Sequence, residues 1–134
     1  MAAPTGCRLS SFQLTNMNQQ ELKDKLIDFL QQGDAIQLKW DCGDDEALIY
    51  IHRNGQPINY QEPWAAAFEL YIFNKLSLPS AGEFSMEGKG TLLYKEGALF
   101  LDCASYWKGY VDENGWKEVN DYEEDYSGVM ELFT

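Results

Sequence analysis

Apolar residues recur along this chain with two periods, and each change of period marks an element. Between Asn18 and Gly33 the spacing is helical. Leu22, Leu26, Phe29 and Leu30 fall at i, i+4, i+7 and i+8, which predicts one stripe facing a core. Asn18 with Glu21 three residues later makes a capping box, Met17 and Leu22 have staple spacing, and Gly33 supplies the stop. From Ile36 the period drops to two: Ile36, Leu38 and Trp40 alternate with Gln37, Lys39 and Asp41, as in a half-buried strand with one wet face. Cys42 to Glu46 connects to a second strand, Ala47 to Arg53, with Ile49 and Ile51 inward and Tyr50 and His52 outward. Asn54-Gly55 is a turn signal, and so short a link between the first two strands predicts antiparallel neighbours.

Gln56 to Gln61 reads as irregular. Pro63 suits the first turn of a second helix, which Trp64 to Leu76 continues, apolar nearly all round and therefore expected to be covered on more than one side. Glu83 to Met86 reads as a short strand. Gly88 to Trp107 then holds two aromatic-rich apolar runs joined by Lys95-Glu96-Gly97, a hairpin with glycine in its turn. Leu99, Leu101, Cys103 and Trp107 share one face of its second run, and Phe100, Ala104 and Tyr106 share the other. Asp102 lies among the latter, yet neither face is fully polar, and the pattern predicts a central strand covered on both sides. Asn114-Gly115 is another turn, and Val129, Met130, Leu132 and Phe133 predict a final docking strand or short helix.

The order is α-β-β-α-β-β-β. It predicts an α+β fold, an antiparallel sheet of about four to six strands with two helices. A length of 134 residues suits a single domain over residues 1–134, with residues 1–14 as an N-terminal arm pinned by Leu9, Phe12 and Leu14, and 108–134 as an acidic, aromatic C-terminal segment. Apolar residues make up 45% of the chain, enough for a core, and no apolar run reaches the ~18 residues of a membrane helix. The first residues lack the charged and apolar blocks of a secretion signal, which predicts a cytoplasmic protein without membrane contact. Cys7, Cys42 and Cys103 are odd in number and scattered, so no disulfide framework is expected.

Charge narrows the functional classes. The formal net charge is −12, and it is uneven: residues 1–67 hold 9 acids and 5 bases, residues 68–134 hold 13 acids and 5 bases. Such a chain is repelled by phosphate backbones, so nucleic acid is not an expected partner, whereas a basic protein is drawn to it. No metal or cofactor is expected. His52 is the only histidine, no His or Cys pair has zinc-ligand spacing, and Asp41, Asp44, Asp45 and Glu46 lack the EF-hand pattern. Cys42 or Cys103 with His52 gives no recognisable nucleophile arrangement, and Gly88-Lys89-Gly90 precedes a strand rather than a helix, unlike a phosphate loop. Catalysis is therefore not expected.

What remains is a surface for protein binding. Tyrosine and tryptophan are enriched at interface hot spots, and carboxylates complement a basic partner. The candidate residues are Tyr106, Tyr110, Asp112, Glu113, Trp116, Asp121, Tyr122, Glu123, Glu124, Asp125 and Tyr126, joined by the loop acids Asp44, Asp45 and Glu46. The competing reading puts the rings in the core and the carboxylates on a solvated rim.

Trp40 to Ile49, with its glycine and aspartates, and Gly88-Lys89-Gly90-Thr91-Leu92-Leu93 together resemble small acidic bacterial α+β proteins, among them immunity proteins of contact-dependent or secreted toxin systems. The likeness spans about Ile36 to Tyr106. It implies a cytoplasmic protein that binds and neutralises a basic toxin domain, for instance a nuclease. Two other readings stay open. A nucleic-acid mimic would show a duplex-like array of paired carboxylates, and a small enzyme or ligand-binding domain would show a deep pocket with convergent polar groups.

Overall fold

The computed structural model describes residues 17–43, 45–58, 61–79 and 84–134; the side chains at 111, 112, 117 and 119–125 fall outside that description, as does the arm expected at 1–14. Helix α1 spans Gln19–Gln31 and α2 spans Pro63–Lys75. The strands are β1 (Ile36–Gly43), β2 (Glu46–Arg53), β3 (Gln56–Pro57), β4 (Phe84–Lys95), β5 (Ala98–Asp112) and β6 (Gly115–Leu132). They form one antiparallel sheet in the order β3-β2-β1-β4-β5-β6. The fold is α+β, in the order that the hydrophobic periods predict, with the two-residue β3 added in the stretch read as irregular.

The capping box forms as expected: the Glu21 amide donates to Asn18 Oδ1 at 2.8 Å, and the Asn18 amide donates to Glu21 Oε1 at 3.0 Å. The α1 stripe, Leu22, Leu26 and Phe29, is buried, and Gly33 follows the Gln32 C-cap at φ +92°, a value that favours glycine. Trp64, Ala65, Ala67, Phe68 and Ile72 of α2 join the same core as Ile36, Leu38, Trp40, Cys42, Ile49 and Ile51 of the sheet. Leu70 on α2 is exposed, and among the described residues no element covers that side of the helix. The chain end docks as expected: the Phe133 amide donates to the Tyr71 hydroxyl at 2.6 Å, and the two rings stack at 4.3 Å.

Both helices bury the same sheet face, which decides the fate of the other. Among the described residues no element covers it. The expectation that β5 is covered on both sides is corrected here. Leu99, Leu101, Cys103 and Ser105 are buried on the helix side, while Asp102 is exposed and Phe100, Ala104 and Tyr106 are half-buried on the open side. Phe100 stands opposite Leu93 and Glu131, and Tyr106 opposite Glu87; cross-strand neighbours shade rings on an open face, and this mimics a two-sided core in the sequence pattern.

Candidate functional site

The open face is built by alternation, so its composition follows from strand register. One row across it reads Leu48, Asp41, Glu87, Tyr106. The next reads Tyr50, Lys39, Lys89, Ala104. Leu48 and Tyr50 keep more than two-fifths of their surface in solvent, a large apolar exposure for facing positions in β2. Like charges sit directly opposite each other, Asp41 beside Glu87 and Lys39 beside Lys89, which is unfavourable within each row. The sign alternates between rows, so each pair is offset along the diagonal. Lys108 Nζ also lies 3.5 Å from Glu87 Oε2, an exposed pair.

Shallow depressions lie on this face, among them one of about 490 Å³ over Gln37, Lys39, His52, Lys89, Thr91 and Asp102. Another of about 470 Å³ runs between Tyr50 and Tyr106, over Lys39, Asp41, Glu87 and Lys89. A further one of about 490 Å³ lies toward the β1–β2 turn, between Glu46, Leu48, Asp41, Ser85 and Trp116. Trp116 reaches this place because Gly109 of β5 has no side chain. A Cβ there would stand 2.4 Å from the Trp116 ring, so the indole lies against the strand with 52% of its surface exposed.

The register also gathers residues far apart in the chain. Glu46, Gly43, Ser85, Gly109 and Glu118 form one row at the end of the sheet, and the β5–β6 turn with Glu113 projects just beyond it. Asp45 lies in the β1–β2 turn at φ +62°. Thus Asp45, Glu46, Glu113, Trp116 and Tyr106 of the expected set meet at one end of the open face. Tyr110 and Tyr126 do not join them. A register shift between Trp107 and Gly109 leaves Lys108 as an extra residue, and Tyr110 then pairs with Phe84 and packs against the core, as Trp107 does. Tyr126 pairs with Ser105 and so stands on the helix-bearing side, at the sheet edge. Asp44 lies outside the described residues. So do the side chains of Asp112, Asp121, Tyr122, Glu123, Glu124 and Asp125, whose backbone runs in β5 and β6.

Leu48, Asp41, Glu87, Lys39 and Lys89 were not in the expected set. Their signal was present: a leucine and a tyrosine at the outward phase of β2 mark a face that water alone does not favour. The thiol arrangement is settled by sides. Cys42 and Cys103 lie on the covered face, and burial pushes each thiol up to about 11, helped by the Asp41 and Asp102 charges, so both stay protonated near neutrality. His52, one residue after inward Ile51, belongs to the open face. Among the described residues, no three His, Cys, Asp or Glu side chains gather in a way that would hold a metal ion, and no helix is long and apolar enough to cross a membrane. Comparison with known proteins found no family model, no curated protein and no solved structure that matches the chain.

Proposed function

We propose that this protein binds and neutralises a basic toxin domain, as an immunity protein acting in the cytoplasm of a bacterial cell. One observation carries the reading: the sheet face left bare by the helices holds Leu48, Tyr50, Tyr106 and Trp116 among the carboxylates of Asp41, Glu46 and Glu87. Exposed and half-buried rings in a shallow, charged setting are the composition of an interface centre and its rim. The net charge of −12 steers a cationic partner toward the molecule and raises its encounter rate. The depressions are open rather than deep, which suits a protein surface better than a small substrate. A nucleic-acid mimic is less well supported, since the row next to Asp41 and Glu87 holds Lys39 and Lys89, which breaks a duplex-like array of negative charge.

The test is co-expression with a basic toxin domain, to be sought in the adjoining reading frame. Rescue of growth and a one-to-one complex are expected. Tyr106→Ala and Trp116→Ala should each weaken that complex by tenfold or more, in the ~2 kcal/mol range of hot-spot truncations, with the thermal unfolding transition retained. Undiminished growth arrest with no complex would sink the reading.

A further inference from the structure

β6 is the longest strand and the last in the sheet, paired with β5 alone among the described residues. From Tyr126 to Leu132 its ladder runs without a shift, Ser105 opposite Tyr126 through Leu99 opposite Leu132. In an antiparallel edge strand, alternate residues turn their N–H and C=O groups away from the neighbour, so this stretch is a regular template for one more strand.

Folded chains guard such edges, and the two edges of this sheet are guarded differently. β3 is two residues long, contains Pro57, which cannot donate to a ladder, and covers only His52 and Arg53 of β2. β6 is guarded by charge of one sign. Its sequence holds Glu118, Asp121, Glu123, Glu124, Asp125 and Glu131 against a single base, Lys117. A guard of that kind repels a second copy of the same strand and attracts a cationic one. Two apolar side chains also straddle the template. Tyr126 stands on the helix-bearing side, and Val129, opposite Asp102 and 57% exposed, stands on the open side. An added strand would find a contact on each of its faces.

We propose that the edge of β6 from Tyr126 to Leu132 receives an extended, lysine- or arginine-bearing segment of the partner as a seventh strand. This rests on the reading of a basic partner and adds the mode by which it is held: backbone pairing supplies attachment, and the acidic sequence of β6, with Glu131 inside the stretch and the other acids ahead of it, selects the sign of the incoming strand.

The experiment uses the full chain and an acetylated eight-residue peptide of alternating lysine and threonine, read by amide hydrogen exchange. The expected result is at least tenfold slower exchange at alternate amides of 126–132, absent with the same peptide N-methylated at pairs of adjacent residues, which blocks both of its edges. The triple variant Glu123→Gln, Glu124→Gln, Asp125→Gln should weaken the peptide at least fivefold. No protection, equal binding of the methylated peptide, or unchanged affinity of the triple variant would each overturn the proposal. So would edge amides already slow without peptide, whether at any dilution, as when residues 1–16 occupy the edge, or only at high protein concentration, as when a second copy does. If the toxin complex forms while the edge stays unprotected, the edge proposal fails alone. If neither the peptide nor a basic toxin binds, the basic-partner reading falls with it.

Discussion

Trp40 shows how single residues set this sheet. Its indole lies across β4 where Gly88 has no side chain; a Cβ there would stand 2.3 Å from the ring. The ring thereby reaches β5, where Nε1 donates to Ser105 Oγ at 3.1 Å in a buried bond. Gly90 leaves similar room for Leu101 and Cys103, with a Cβ 2.9 Å from Leu101. The Gly-Lys-Gly stretch is thus a packing device between three strands. Gly88→Ala is expected to destabilise by about 1–3 kcal/mol through overpacking. Ser105→Ala is expected to cost a similar amount, about 1–3 kcal/mol, because it strands a buried indole N–H. Urea denaturation of both variants checks this; a change below ~0.5 kcal/mol in either would contradict the packing described.

At the scale of elements, local chemistry was readable and its interruptions were not. The α1 cap is written in Asn18 and Glu21, and Asn18→Ala should lower stability by about 1 kcal/mol, read as a fall in the urea midpoint with unchanged slope. The alternation of β1 and β2 was equally plain, since a helix-covered face and a wet face differ in polarity at every step. Period-two counting fails at a bulge. Carried on from Tyr106 it places Tyr110 on the open face, yet the extra residue Lys108 turns Tyr110 to the core. Between Trp107–Glu123 and Gly109–Glu118, one residue of β5 spans four of β6, an irregularity no spacing rule announces. The candidate site was legible only in part for a related reason. Trp116 and Tyr106 stand out by composition, whereas Asp41, Glu87 and Leu48 become neighbours through register between strands far apart in sequence.

For the whole molecule, the two buried thiols give stability a pH limit on the alkaline side. Their folded pKa is raised to about 11 from 9.0, so the native state holds protons that the unfolded chain releases first. The stabilisation is complete below about 9 and is lost as pH climbs through 11. On the acid side, hydrogen bonding from Asn54, joined by Arg53 at 3.0 Å, holds the Asp34 carboxyl below its usual 3.8. That exposed contact is present above that value and lost as pH falls through the depressed one. Denaturation midpoints measured from pH 8 to 11 should therefore decline, and the double variant Cys42→Ala, Cys103→Ala should decline less steeply. Parallel slopes for the two proteins would show that other groups govern the alkaline limit.

The two borders of the sheet are built differently. On one side β3 pairs with only His52 and Arg53 of β2, and no described strand caps β2 from Glu46 to Tyr50; on the other an 18-residue strand runs the length of the body. Growth of the sheet at the β6 border would lay its new hydrogen bonds first along Tyr126 to Leu132, where the ladder to β5 has no shift.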